Sequence, residues 1–443
     1  MQRALEFGKK PAGAGGKRLE RVILHLDLDC FYCQVEQVRL GLPTSVPFAV
    51  QQWDKIIAVN YAARSASVTR HDNYRECFAH CAELRLVHVP TFNTAHPAAE
   101  IHAYKDTGKE DTMSLDRATH KASLQPYREA SMKIFCSLRN MLTSYGAPFV
   151  IEKASVDEVF IDASEIVDKL LVERFALPIH RGRIAEDYPS SQFFDVDWSD
   201  RGNPAISQDG LDESVKDYEL ADLRIHLGCE IALRSRQAIF SELSYTSSVG
   251  IAHNKTLAKL ASARHKPDQQ TFVLKRHVAQ WMKYVPFHKI RFLGGKLGKL
   301  LLTTLDKTQA DLSDDEENGD PDEASDQETS TSPEEPATIM AADLWPLTVD
   351  DLQKKVGDKD SAKWVYNIIR GDDSTPVAPR LQSQSFMSAK NLQIPLKEWQ
   401  QLSDWLVLLV SELSGRILED FQTNSRWPQS ITVNRAPSYP ASL

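Results

Sequence analysis

RVILHLDLD at residues 21–29 and VIEKASVDEVFIDAS at residues 150–164 are the two stretches that decide how this chain folds. In the first, Val22, Ile23, Leu24 and Leu26 form an apolar run with acids only at its end. That pattern predicts a buried strand that delivers Asp27 and Asp29 to its C-terminal edge. In the second, two short apolar runs flank an acidic pair, which predicts a β-hairpin with Asp157 and Glu158 at its turn. Acids beside a buried sheet are costly unless they are paired or met by a cation. If the two strands are neighbours, Asp27, Asp157 and Glu158 converge. With a backbone carbonyl such as that of Leu28 they make a hard-oxygen donor set, suited to Mg²⁺ rather than zinc. Taken singly, each acid reads more readily as a cap or turn residue, and periodicity does not say that the strands meet.

Outward from these stretches the chain alternates strands and helices. FYCQVEQVRLGL predicts a short helix, and FAVQQW with IIAVNYAAR predicts two more strands or a strand leading into a helix. SLQPYREASMKIFCSLRNMLTSYG has Ile134, Leu138, Met141 and Leu142 at helical spacing and a Gly stop. Residues 186–217, rich in Asp, Ser, Gly and Pro, read as a surface insertion. A strand at 247–251 runs into a helix, and helices are expected over 277–305 and 341–370. A strand over 382–387 and an amphipathic helix over 396–422 follow.

The sequence holds 443 residues, enough for several domains, with 42% hydrophobic and 26% charged residues. Its longest candidate for a membrane segment, residues 405–410, is short and lies between Asp404 and Glu412, so no membrane span is expected. The N-terminus has basic residues but no apolar core, which argues against a secretory signal. Six cysteines in so long a chain do not make a disulfide framework, and cytosol or nucleus is the expected compartment. The net charge of −9 is unevenly placed: residues 311–336 carry 12 acids and no Lys or Arg. Outside that stretch 49 acids face 52 bases, a balance of +3 that is compatible with a nucleic-acid partner. The acidic stretch itself reads as a disordered, solvated insertion, with a regulatory or DNA-mimicking role as the alternative.

Other motifs are weaker. Tyr61, Arg64 and Arg70 in NYAARSASVTR, with Lys266 in ARHKP, are suited to a triphosphate, although arginines on a helix are more often solvated. No GxxxxGK[ST] sequence is present, so a P-loop cannot be the basis of activity. GGKLG at 294–298 is a Gly-rich turn whose amides could hold a phosphate. Cys30-x-x-Cys33 has no second pair at zinc spacing, and free thiols are expected.

In order along the chain, LDLDCFYCQVEQ (26–37), AVQQWDKIIAVNYAARSASVTR (49–70), LQPYREAS (124–131), IEKASVDEVFIDAS (151–164), SVGIAHNKTLAKLASARHKP (248–267) and IRFLGGKLG (290–298) resemble the Y-family DNA polymerases, and within them a eukaryotic branch. The resemblance spans most of residues 21–305. It implies an α+β right-hand architecture: a palm of mixed sheet plus helices (21–30 and 88–274, with the insertion at 186–217), small fingers (31–87), a helical thumb (275–375, with the acidic insertion at 311–336) and a partial little finger (380–443), after a flexible tail (1–20). It implies catalytic Asp27, Asp157 and Glu158, with two Mg²⁺ ions on these acids and the Leu28 carbonyl. Tyr32 matches the aromatic residue that excludes ribonucleotides, Tyr61, Arg64 and Lys266 the groups that hold the triphosphate, and Gln52 and Arg70 finger residues near the template base and nucleotide. Gly294, Gly295, Lys296 and Gly298 match the thumb turn on the duplex backbone. The activity implied is translesion synthesis on primer-template DNA from dNTPs, in the nucleus, by a monomer that meets a sliding clamp through segments absent here.

Two departures qualify this. The acidic stretch is not part of the family pattern, and the little finger is expected to stop within its second strand (SITVNRAPSYP, 430–440), leaving Trp399, Leu402, Trp405, Leu406, Leu409 and Leu413 of the 396–422 helix poorly covered. A nucleotide cyclase with the same acids is one rival reading. A catalytically weak DNA- or partner-binding fragment of such a polymerase is the other.

Overall fold

Ile23–Leu28 is buried along its whole length, so both faces of that strand need a covering layer. The computed structural model describes residues 16–101, 117–189, 192–206, 218–302, 338–380, 382, 384–392 and 395–434. Its first elements are β1 (Lys17–Arg18), β2 (Ile23–Leu28), α1 (Phe31–Leu40), β3 (Phe48–Gln52), β4 (Lys55–Val59), α2 (Tyr61–Arg64), α3 (Tyr74–His80), β5 (Arg85–His88), β6 (Thr91–Asn93), β7 (His96–Ile101) and β8 (His120–Ala122). Then come α4 (Gln125–Thr143), β9 (Val150–Lys153), β10 (Glu158–Asp162), α5 (Ser164–Phe175), β11 (Ile179–His180), β12 (Arg183–Ile184), β13 (Asn203–Pro204), α6 (Leu220–Leu243), β14 (Ser247–Ala252), α7 (Lys255–Ser262) and β15 (Gln270–Phe272). The helices α8 (Val278–Met282), α9 (Lys296–Leu302), α10 (Val349–Val356), α11 (Lys359–Ile368) and α12 (Trp399–Asn424) complete the set. This is a mixed α+β chain in two units, Met1–Val38 with Tyr127–Leu381 and Arg39–Pro126 with Gln382–Leu443.

The first unit is built on a six-stranded sheet of order β13-β15-β14-β2-β10-β9. β2 is antiparallel to β10 on one side and to β14 on the other. α7 covers the face that carries His25 and Asp27, and it approaches closely. A Cβ on Gly250 would stand 1.9 Å from the Ala258 carbonyl oxygen and 2.5 Å from the Ser262 amide nitrogen. α6 takes the opposite face, where a Cβ on Gly228 would meet Val22 at 2.6 Å and Ile251 at 3.0 Å. Gly250→Ala should therefore push α7 off the sheet and lower Tm by about 5 °C in a thermal melt. A Tm within a degree of the parent would show that the helix shifts freely. Beyond α7, a core that includes Ile23, Phe160, Leu257, Trp281, Phe287, Leu301, Leu344 and Val365 joins α8–α11 to the sheet.

Several expectations change here. Residues 192–206 of the expected surface insertion are built onto the sheet edge: β13 pairs in parallel with β15, Phe194 and Ala205 are buried, and Trp198 packs 4.5 Å from Phe272. Their polar composition hides these few apolar anchors. Of the expected tail, residues 1–15 lie outside the described residues, whereas β1 pairs with β12. The acidic stretch 311–336 also lies outside them, as do residues 190–191, 207–217 and 435–443. Gln382 and residues 384–387 form no strand; that stretch is polar and lacks the alternation a strand needs.

In the second unit, β3 pairs antiparallel with β4 and parallel with β5. Ala49, Ile56, Val59, Ala63, Val68, Cys77 and Leu84 close a small core against α2 and α3. A second sheet of order β7-β6-β8 packs with α12. On α12 the buried residues are Trp405 and Leu408. Lys121 of β8 reaches Glu412 at 2.5 Å, and Ser388 donates to the same carboxylate at 2.6 Å. Of the residues expected to be poorly covered, Trp399, 85% exposed, and Leu406 are exposed, whereas Trp405 is buried. Among the described residues no helix is long and apolar enough to cross a membrane, and the six cysteines are unbridged thiols.

Candidate active site

The register of β2 with β10 sets Glu158 directly opposite Asp27. Residues opposite each other in an antiparallel pair point to the same face, so the two carboxylates share the face under α7. Both are nearly buried. Each is met by a lysine: Lys266 Nζ stands 2.7 Å from Asp27 Oδ1, and Lys259 Nζ lies 3.0 Å from both oxygens of Glu158. His25, two residues before Asp27, places Nε2 3.5 Å from Glu158 Oε2 and Nδ1 2.7 Å from Ser262 Oγ. Asp29 accepts hydrogen bonds from Ser248 Oγ at 2.7 Å and the Asp268 amide at 2.9 Å.

Burial dominates the electrostatics, and the partners correct it. Burial pushes the His25 imidazole down and the Asp29 carboxyl up. For Glu158, burial also acts upward, but His25 and the Lys259 ammonium outweigh it and hold the carboxyl well below the usual range. Lys266 would be lowered by burial, yet Asp27, Asp29 and Glu158 hold it above the ordinary lysine value.

Asp157 stands one residue earlier, in the turn between β9 and β10. Ser155 Oγ donates to its carboxylate and accepts from the Glu158 amide at 3.0 Å. Its carbonyl accepts from the Leu28 amide at 3.1 Å, which stitches the turn to the end of β2. Among the described residues no three His, Cys, Asp or Glu side chains stand close enough to hold an ion by themselves. The donor chemistry nevertheless fits a hard divalent cation, because Asp27 and Glu158 offer only oxygen and already bind cationic groups. Tyr32 leaves the first turn of α1 with its ring 4.5 Å from that of Tyr127, whose hydroxyl donates to buried Glu36 at 2.9 Å.

Four of the remaining candidates belong to the second unit. Tyr61 and Arg64 share the single turn of α2, capped by Asn60, with the Arg64 guanidinium 4.8 Å over the Tyr61 ring. Arg70 lies in the turn before α3. Gln52 ends β3 and lines a cavity of about 310 Å³ with Trp53, Arg117, Lys121 and Lys390. Lys390 lies 5.2 Å over the Trp53 ring and Arg117 5.6 Å over it. In the first unit, Gly294 and Gly295 precede α9, Lys296 begins it, and Gly298 packs so tightly that a Cβ would stand 1.7 Å from the Leu293 carbonyl oxygen.

Sequence reasoning missed Lys259, His25, Ser248 and the Trp53 cavity. A signal for Lys259 was present: Lys255 and Lys259 sit four apart on an apolar helix, KTLAKLAS, whose buried face has no room for unpaired charge.

The model of the impB/mucB/samB family matches residues 26–263. DNA polymerase eta of Arabidopsis thaliana is 31% identical over 94% of this chain and 52% of its own length. DNA polymerase eta of Drosophila melanogaster is 29% identical over 94% of this chain and 42% of its own. N-acetyltransferase eso1 of Schizosaccharomyces pombe is 31% identical over 90% of this chain and 40% of its own. The chain spans about half the length of these relatives. With the family model covering more than half of its residues, the chain belongs to the impB/mucB/samB family, the Y-family DNA polymerases.

Proposed function

We propose that this chain is a DNA-directed DNA polymerase that extends primers past damaged template bases, such as ultraviolet-induced pyrimidine dimers. The observation that carries the reading is the in-register pair Asp27 and Glu158, each neutralised by its own lysine beneath α7. Asp27, the Leu28 carbonyl, Asp157 and Glu158 are the donors for two Mg²⁺ ions, whose chemistry when bound is to acidify the primer 3′-hydroxyl and neutralise charge on the triphosphate. Lys259 keeps Glu158 ionised at neutral pH, so the carboxylate needs no proton loss before it acts. Lys266, within 2.7 Å of Asp27, is in reach of a phosphate bound beside that carboxylate. Tyr61 and Arg64 offer a hydroxyl and a guanidinium fork to the triphosphate, adding fixed donors where charge builds on the leaving group. Tyr32 closes the space a 2′-hydroxyl would need, and Gln52 and Arg70 border the template base and the nucleotide.

In domain terms, residues 21–30 and 88–274 form the palm, 31–87 the fingers, 275–375 the thumb and 380–443 little-finger sequence. The Gly294, Gly295, Lys296 and Gly298 turn grips the duplex backbone. The substrates are primer-template DNA and dNTPs, which sets the site of action in the nucleus and requires only a monomer.

Primer extension on an undamaged template and on one carrying a thymine dimer tests the reading, with Mg²⁺ and each dNTP supplied singly. Extension through the dimer that disappears in the Asp157→Ala, Glu158→Ala double variant is the expected result. Tight DNA binding without extension would overturn the enzymatic reading and leave a DNA-binding fragment.

A further inference from the structure

Phe292 has φ +69°, in the left-handed region that a residue with a large side chain rarely adopts. The turn has a packing purpose: it lets Ile290 and Leu293, each 1% exposed, both enter the core. Glycine or asparagine would make that turn with less strain. An aromatic side chain stands there instead, and it is 64% exposed. The Arg291 guanidinium lies beneath it, 4.6 Å from its ring and 5.8 Å from that of buried Phe160, and the Trp364 ring lies 6.1 Å away. Tyr284 in the same segment is also exposed. From Lys283 to Leu302 the sequence carries five Lys or Arg and no Asp or Glu, a balance complementary to a polyanion.

A strained residue whose side chain is turned outward points to a use for that side chain. We propose that Phe292 is a positioning residue that packs its ring on a deoxyribose of the bound duplex, beside a phosphate met by Lys296. This rests on the polymerase reading and adds to it a contact beyond residues 26–263, the span matched by the family. A flat apolar ring beside a cation matches a sugar beside a phosphate, and the contact is apolar where its neighbour is ionic.

The test is duplex binding by fluorescence anisotropy across a salt series, with thermal melts and primer extension on the same proteins. Phe292→Asn relieves the strain, so its Tm should rise by about 2 °C. Its duplex affinity should fall about fivefold at every salt concentration, the size of losing part of one ring's burial. The slope of log affinity against log salt should stay unchanged, whereas Lys296→Ala should reduce that slope by about one. Phe292→Leu keeps the bulk and the strain but not the flat ring, and should lose affinity without gaining stability. Parental affinity in both Phe292 variants, with the parent still extending primers, would overturn the proposal and leave Phe292 a turn residue. A parent that neither binds duplex nor extends primers would instead remove the polymerase reading beneath it.

Discussion

Glu158→Gln and Asp27→Asn should each lower single-turnover nucleotide insertion by at least about 10³-fold, the scale on which removing a fixed charge from a reaction centre acts. Both substitutions keep the shape of the side chain and remove its charge. In the first variant the new side-chain amide oxygen can still accept from Lys259, and in the second it can still accept from Lys266, so the strand register and α7 should remain in place. The ammonium left without a counter-charge still lowers stability, by less than an alanine would, because alanine strands the lysine altogether. Circular dichroism and Tm on the same preparations separate loss of chemistry from loss of fold. An insertion rate within tenfold of the parent in either variant would remove that carboxylate from the active site.

Lys255→Met should give the largest loss of stability. Lys255 Nζ lies 2.7 and 2.8 Å from the two oxygens of Glu152, both side chains are nearly buried, and the Ala378 amide donates to the same carboxylate at 2.7 Å. The ammonium also sits 4.7 Å over the Phe160 ring. Methionine fills the volume but leaves the buried carboxylate with the Ala378 amide and the charge of nearby Arg291, a loss of about 3 kcal/mol, or a Tm lower by about 10 °C. The pH dependence has a definite sign. Burial acts upward on Glu152, but Lys255 and the Ala378 amide hold its carboxyl below the ordinary 4.5. A depressed carboxylate contributes stability that is complete above its unfolded value and is lost as pH falls through the folded one. In the variant, Glu152 is freed to take up a proton. The Tm gap should therefore be widest near neutrality and narrow as pH drops below 4.5. A gap that is constant with pH would mean that the pair contributes packing rather than charge.

Much of the central architecture was legible in the sequence because it rests on runs of apolar residues. β2 and the β9–β10 hairpin appear where alternation and burial demand them, and Asp27 and Glu158 stand at their ends. Their neighbourhood was not legible: a periodic pattern specifies a strand but not its partner, and only the register with β10 brings the two carboxylates face to face. Lys259 and His25 were hidden for a related reason. Each lies within an element read as apolar, and each depends on a carboxylate more than a hundred residues away. The edge strand β13 was lost in polar composition. At Phe292 residue type pointed the wrong way, since a left-handed turn is sought first at glycine or asparagine.

The second unit is discontinuous: β8 and α12 are joined by the Lys121–Glu412 pair, 291 residues apart in sequence. On a ribosome that separation is a delay. At roughly 5–20 residues per second, β8 emerges tens of seconds before the helix that covers it. The β7-β6-β8 sheet must wait without its covering helix, while the six-stranded sheet of the first unit, whose strands all precede residue 273, can form as soon as β15 is free. A nascent chain arrested after β15 and before α12 is then the species most exposed to chaperones and proteases, and synthesis rate across residues 273–424 becomes a determinant of yield.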